Sequence, residues 1–483
     1  MNIFINLKSI IYIIFIFLTL IVSSKYSGNL FIFYIFSLLS IFLIDYSFRK
    51  DFISMKLISL LLFLGIWFRL SFTTFFLDSK FTHQPYLDIS NKNFDDVLLV
   101  SSIGILSILI VIFLFSKIKK IKSTSVRFYK KKFINTYLLY SIFFLLSIFF
   151  CYYNLDNFYY VRGFEAKTNI FFPGDYLFSW LIQFGFLSLF IYFFENNIKD
   201  NKVPTSFGFI VLIFISSILS YGILSRASIV LNLFLLALYI NKNKFNFLSL
   251  RSLKLFLITL LFSTVSIVSS DIKRDSIYAS KYKAFLKEST TSVTTTTTTI
   301  ESPELFDIIK LEIESTNKFI HKAFGLFITR WVGVDGIISV VNYPYKSTSL
   351  FYSSLNEKRV KYAPSFFDKV FVPTIYENAN REFINPNSIP GPIAFFYYSG
   401  NFFILFCGIF ILSSLSIILE ILIFRSLSNY YILPSFFIFL IAWRYIHFGN
   451  YPLDSYKILI AILFNLFLIK IIDNYLTTNE KLS

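Results

Sequence analysis

Apolar residues fill this chain in long blocks separated by short polar breaks, and most blocks are too long for strands. A helix needs roughly 20 mostly apolar residues to cross a bilayer. Twelve blocks approach that length: 9–23, 29–46, 53–77, 97–118, 133–153, 176–194, 204–224, 226–241, 252–270, 401–424, 429–448 and 456–474. The seventh and eighth meet at Ser225-Arg226, which predicts a tight helical hairpin or a pair with one short member. The pattern predicts an all-α integral membrane protein with about 12 transmembrane helices. Three regions follow: an N-terminal transmembrane bundle of about nine helices over 1–270, a large polar loop with short helices over 271–390, and C-terminal transmembrane helices over 391–483.

The polar interval is the exception to the pattern. It opens with Asp271-Ile-Lys-Arg274 just past one apolar block and runs through Arg381-Glu-Phe-Ile-Asn-Pro-Asn-Ser-Ile-Pro390 to the next. A connection this long is usually functional. Thr290–Thr299 is a threonine-rich tract. Ser302-Pro-Glu-Leu places a proline just inside a serine cap and predicts a helix to about Arg330. Pro344, Pro364, Pro373, Pro386, Pro390 and Pro392 break the remainder into turns. No internal repeat relates the two halves, which weighs against a secondary transporter.

Composition agrees. The chain is 56% hydrophobic and 15% charged, against about a quarter charged in a soluble domain. The first block is not followed by a small-residue cleavage site and predicts a retained helix. The net charge of +17 sits at block ends, which points to membrane topology rather than nucleic acid. Between blocks four and five, Lys117–Lys132 holds eight basic residues and no acidic one. Placing it in the cytosol puts both termini there and the 271–390 interval outside, with fifteen basic and thirteen acidic residues. Two cysteines, Cys151 and Cys407, lie in or beside apolar blocks and predict neither a disulfide framework nor a zinc cluster.

The usual nucleotide, metalloprotease and serine-hydrolase motifs are missing from the sequence. Three histidines, His83, His321 and His447, cannot make a metal centre alone. Arginine is more informative. Lysine outnumbers it 33 to 12, yet eight of the twelve fall outside or near an outer span end: Arg69, Arg162, Arg226, Arg274, Arg330, Arg359, Arg381 and Arg444. The positive-inside rule predicts the opposite bias. A guanidinium matches phosphate oxygens with a rigid fork of donors and keeps its proton, so this pattern points to a pyrophosphate. The competing reading is that span-end arginines snorkel to headgroups, and it is preferred for Arg359. Arg444 and His447, three residues apart, share a helix face near the end of a span and form a functional candidate or a structural hydrogen-bonding pair. Transfer of a group from a pyrophosphate to a hydroxyl also needs an acceptor for the hydroxyl's proton. Candidates are Asp335, Glu377, Glu382, Asp275 and His447, with Asp335 favoured for its place five residues after Arg330.

At this point the chain resembles the O-antigen polymerases of the Wzy type. Leu64-Gly-Ile-Trp-Phe-Arg69 is similar to an aromatic-basic third helix of that family, and Leu224-Ser-Arg226-Ala-Ser to its short Ser-Arg turn. Arg381 followed ten positions later by Gly391 resembles its arginine-then-glycine loop spacing; Arg162, followed by Gly174, departs from it. Ile389-Pro-Gly391-Pro-Ile-Ala-Phe-Phe-Tyr397-Tyr-Ser-Gly400 resembles its glycine-tyrosine-glycine lead into the next helix. The resemblance implies a GT-C-like bundle in the bacterial inner membrane, with one large periplasmic loop. It implies block transfer of undecaprenyl-pyrophosphate-linked glycan onto a new lipid-linked repeat unit, with neither cofactor nor metal. A chain-length-determinant co-polymerase and a flippase are the implied protein partners, alongside membrane lipids. On this reading Arg226, Arg274, Arg330 and Arg381 bind pyrophosphate, Asp335, His447 and Arg444 serve the chemistry, and Arg69, Arg162 and Tyr397 are secondary candidates. An O-antigen ligase shares the lipid donor and the outer arginines, and a flippase of the lipid-linked unit is a rival of another class.

Overall fold

The computed structural model describes residues 2–76, 91–118, 136–161, 174–199, 205–225, 228–246, 249–291, 331–358, 364–372 and 389–482. Among them the regular structure is helical. Helices α1 (Asn2–Lys25), α2 (Leu30–Arg49) and α3 (Ile53–Phe63) lead into a π-helical turn, Leu64–Phe68, continued by α4 (Arg69–Phe76). Then come α5 (Asn91–Phe115), α6 (Thr136–Asn157), α7 (Gly174–Trp180), a second π-helical turn at Leu181–Gly185, α8 (Phe186–Lys199), α9 (Thr205–Gly222), α10 (Ser228–Lys242) and α11 (Leu250–Thr291). The described part of the polar interval adds α12 (Val334–Asn342), α13 (Thr348–Leu355) and α14 (Phe366–Phe371). The chain closes with α15 (Pro392–Phe396), α16 (Phe402–Ser426), α17 (Ile432–Ile446), a 3-10 turn at Pro452–Asp454 and α18 (Ser455–Leu482).

Nine helical stretches among the described residues are long and apolar enough to cross a membrane, and they coincide with nine of the twelve blocks. The other three blocks form shorter apolar helices, at Tyr12–Lys25, Ser228–Lys242 and Ile432–Ile446. The chain is thus a multi-pass helical membrane protein. Outward-facing Phe31, Leu145, Leu261, Phe403 and Leu463 are exposed apolar side chains suited to lipid contact.

One expectation needs correcting. The polar interval does not begin as a loop at Asp271, because α11 runs on without a break for 42 residues. No glycine or proline occurs between Leu250 and Thr291, so nothing stops the helix where its apolar composition ends. The helix predicted from Ser302 to Arg330 lies outside the described residues, as does most of the threonine tract.

Two cores hold the bundle. One joins α2, α3 and α5 to the last turn of α17 and includes Val334, Ile337, Phe351, Phe367 and Phe371 from the polar interval. The described part of that interval therefore packs into the bundle's own core. The other core joins α6, α8, α9 and α10 to the first turns of α17. Helix α17 belongs to both, with 13 of its 15 residues buried. That explains a short helix that is apolar on every side: it faces protein all round.

A buried helix end leaves amides without partners unless a side chain reaches them. Glu195 of α8, fully buried, accepts from the amides of Tyr431, Ile432 and Leu433 and pairs with Lys242 at 2.8 Å. Glu420 of α16 does the same for α3, accepting from Ile53 and Ser54 amides at 2.8 Å. Replacing Glu195 with alanine would strand Lys242 and three amides in a dry site. We expect a loss of roughly 3–5 kcal/mol, read as lower unfolding midpoint or yield in detergent, with Glu195→Gln intermediate.

Candidate functional site

The site is built where the polar interval meets the end of the bundle. The π-helical turn at Leu64–Phe68 brings Gly65 against the backbone of Val332 and Gly333. A Cβ at Gly65 would lie 2.0 Å from the Val332 carbonyl oxygen, and one at Gly333 would lie 2.6 Å from the Gly65 carbonyl oxygen. Backbone touches backbone, which only glycine permits. The turn ends at Arg69, which is 5% exposed. Its guanidinium donates to the Trp331 carbonyl at 2.5 Å and forms an ion pair with the Asp335 carboxylate. Asp335 sits in the first turn of α12, where a carboxylate also suits the helix dipole.

The return of the chain to the bundle is fixed against the same helix. A Cβ at Gly336 would fall 2.1 Å from the Pro390 carbonyl oxygen. Gly391 follows with φ +81°, a conformation that L side chains resist. Gly449, just past α17, closes over Pro390 and Gly391. Residues 331–336, 389–392 and 447–451 thus form one packed unit.

Arg444 and His447 do share the end of α17, as their spacing predicts. Arg444 spends its donors on the loop that follows: Ser455 Oγ at 2.9 Å, the His447 carbonyl at 3.3 Å, the Asn450 carbonyl at 3.0 Å and the Tyr451 carbonyl at 2.5 Å. It is a structural clamp on backbone that would otherwise be unsatisfied at a helix end. Tyr451, held this way, has φ 50° in the left-handed region, unusual for a bulky residue. The His447 ring lies 4.6 Å from Trp443 and its Nδ1 is 2.8 Å from the Trp443 carbonyl.

Arg274 lies on the extension of α11 and donates to the Leu224 carbonyl at 2.6 Å. Leu224 has φ 49°, so the turn leading to Arg226 is both strained and latched. Tyr397 is buried, with the Lys346 ammonium 6.0 Å from its ring centre. Lys346 donates to the carbonyls of Val341 and Tyr343, at 2.7 and 2.6 Å, and so caps α12. Burial lowers the Lys346 pKa and raises that of the Tyr397 hydroxyl; Asp96 acts upward on both.

Arg226, Arg330, Arg381 and Arg162 lie outside the described residues, as do Glu377 and Glu382. Asp275 is exposed on α11. The structure brings Arg69 to Asp335, and Arg444 to the loop beside Pro390, while Arg274 meets the Leu224 carbonyl. Glu195, Glu420 and Glu357 were not singled out from the sequence. For the first two the signal was present: an acidic residue inside an apolar block demands a partner. Among the described residues no three His, Cys, Asp or Glu side chains gather as metal ligands. Comparison with protein-family models, curated proteins and solved structures gives no match for this chain.

The Arg69–Asp335 pair generates a direct expectation. Arg69→Ala leaves a carboxylate and the Trp331 carbonyl without their donor in a largely dry site, and should cost roughly 3 kcal/mol or more. Adding Asp335→Ala should return part of that loss, while Arg69→Lys should rescue poorly because an ammonium lacks the fork. A double-mutant cycle on detergent unfolding measures all three, and a coupling near zero would remove the pair from its anchoring role.

Proposed function

We propose that this chain is a membrane-embedded glycosyltransferase that extends a glycan carried on a polyprenyl pyrophosphate, in the manner of the O-antigen polymerases it resembles. Counting the three shorter apolar helices as spans gives twelve crossings; the GT-C-like bundle is what the resemblance implies. An even number returns both termini to one side, read as the cytosol from the basic loop at Lys117–Lys132. The unit around Arg69, Asp335 and Pro390 then faces the periplasm.

The observation that carries the reading is that backbone next to the arginine-bearing segments is pinned. Trp331 and Asp335 are tied to Arg69, and Gly336 is packed on Pro390. Arg330 is one residue from that unit, and Arg381 is eight residues before Ile389. Arg226 follows directly on the turn that Arg274 latches. A guanidinium grips phosphate oxygens in bidentate fashion, so these three arginines are the ones we assign to a ligand with several of them.

In the proposed reaction a hydroxyl oxygen of the acceptor repeat unit attacks the anomeric carbon of the donor glycan. The bond from that carbon to the pyrophosphate breaks, and the lipid pyrophosphate leaves with the electron pair. Arg226, Arg330 and Arg381 stabilise the charge that develops on it. The hydroxyl proton passes to a base, with Asp335 and His447 as the candidates. Arg69, Arg274 and Arg444 act through position: each fixes backbone on which these groups stand.

A deletion strain tests the class of reaction. Core bearing a single repeat unit is the expected lipopolysaccharide pattern. Bare core would transfer the assignment to a ligase, and lipid-linked units trapped on the cytoplasmic face would transfer it to a flippase. In complementation, Arg330→Ala and Arg381→Ala should each cut polymer formation by about a hundredfold. Unchanged ladders from well-expressed variants would overturn their role.

A further inference from the structure

Beside the pinned unit lies a cleft of about 100 Å³ that nothing above has used. It is lined by Glu357, Lys358, Pro364, Phe366, Lys369 and Tyr451, with Ser353 at its edge. It joins three segments: the end of α13, the start of α14, and the loop clamped by Arg444. Glu357 is half-buried, lines the cleft, and its Oε1 accepts from the Phe366 amide. Lys358 and Lys369 are exposed at the rim. Tyr451, buried and strained, forms part of the floor and shares its carbonyl with Arg444. Strain held by a dedicated clamp is a feature of functional sites.

The walls have a consistent chemistry. Pro364, Phe366 and Tyr451 offer apolar and aromatic surface, and Glu357, Ser353 and the two lysines offer polar atoms around it. A sugar ring has the complementary shape, with a C–H face and a rim of hydroxyls. Deriving from the glycan-transfer reading above, we infer that this cleft is a saccharide subsite: Glu357 hydrogen-bonds a ring hydroxyl while the aromatic wall covers the C–H face.

The electrostatics suit that role. Burial raises the Glu357 carboxyl from 4.5 to about 7. The Phe366 amide and Lys369 act against the rise, and Asp368 and Asp454 add to it. Lys358 stands on the same segment, Tyr398 lies behind, and Asp454 is paired with Lys457 at 2.6 Å. The folded state therefore keeps this proton from pH 4.5 up to about 7, so the empty protein loses stability as pH rises through that window. Once ionised, the carboxylate accepts charge-assisted hydrogen bonds from hydroxyls.

The test uses the full chain in detergent micelles and saturation-transfer NMR with three probes, D-galactose, N-acetyl-D-glucosamine and D-glucuronate. Wild type should transfer saturation to at least one probe. Glu357→Ala should weaken that binding by about tenfold, the loss of one good hydrogen bond. Lys369→Ala, at an exposed position, guards against misfolding and should weaken it less. Glu357→Gln keeps the bond from the Phe366 amide and removes the titration. In wild type a neutral sugar should bind more tightly, and glucuronate more weakly, as pH rises through about 7; Glu357→Gln should be flat. No transfer to any probe, or equal transfer in wild type and Glu357→Ala, overturns the subsite. The outcome is separable from the enzyme reading: Arg381→Ala should leave sugar binding intact while cutting polymer about a hundredfold. Binding in a protein whose deletion leaves polymer unchanged would keep the cleft and discard the polymerase.

Discussion

The demand that sets this structure is that backbone groups at helix ends be satisfied where water is scarce. Helix α17 meets it twice. At its start the Glu195 carboxylate takes three amides; beyond its end the Arg444 guanidinium takes three carbonyls. A negative group at the amide end and a positive group at the carbonyl end also suit the helix dipole. Because α17 lies in both cores, these two clamps set how the halves of the bundle meet. Hydrophobic burial brings helices together in a membrane weakly, since lipid is as apolar as leucine. Buried polar contacts and close packing then decide which helices pair.

Close packing does the same work at the site. Gly65, Gly333, Gly336 and Gly449 let four backbone segments approach within distances that a single methyl would prevent. The described part of the polar interval is thereby fastened at Gly333, Gly336 and Pro390, and it packs into the bundle's own core. The Arg69–Asp335 pair adds a charge tie at the centre of those contacts. Arg69 and Arg444, which the structure places at this unit, are already committed to carboxylate or backbone.

The spans were legible because a bilayer requires length and apolarity, and both are properties of a linear string. The spacing of Arg444 and His447 was equally readable, since three residues return to one helix face. Their partners were not. Arg444 meets carbonyls, which every residue carries, so nothing in the sequence marks them. The pairing of Arg69 with Asp335 spans 266 positions and depends on a π-helical turn that no residue pattern announces. The run of α11 past Asp271 was hidden by composition: loss of apolar character ends a span, but only a breaker ends a helix. Nothing in the sequence marks Glu357, and only the fold brings it into one cleft with Phe366 and Tyr451.

The π-helical turn has a consequence for how this protein can vary. A π turn amounts to one extra residue lodged in a helix, and one residue corresponds to a rotation of about 100° around the axis. The widened turn takes up that rotation. Losing a single amino acid between Leu64 and Phe68 would let the span close into a regular α-helix with Arg69 on nearly the same heading, but would remove the widened turn that sets Gly65 against Val332 and Gly333. A change of count by one therefore reaches the site even where every side chain around it is kept.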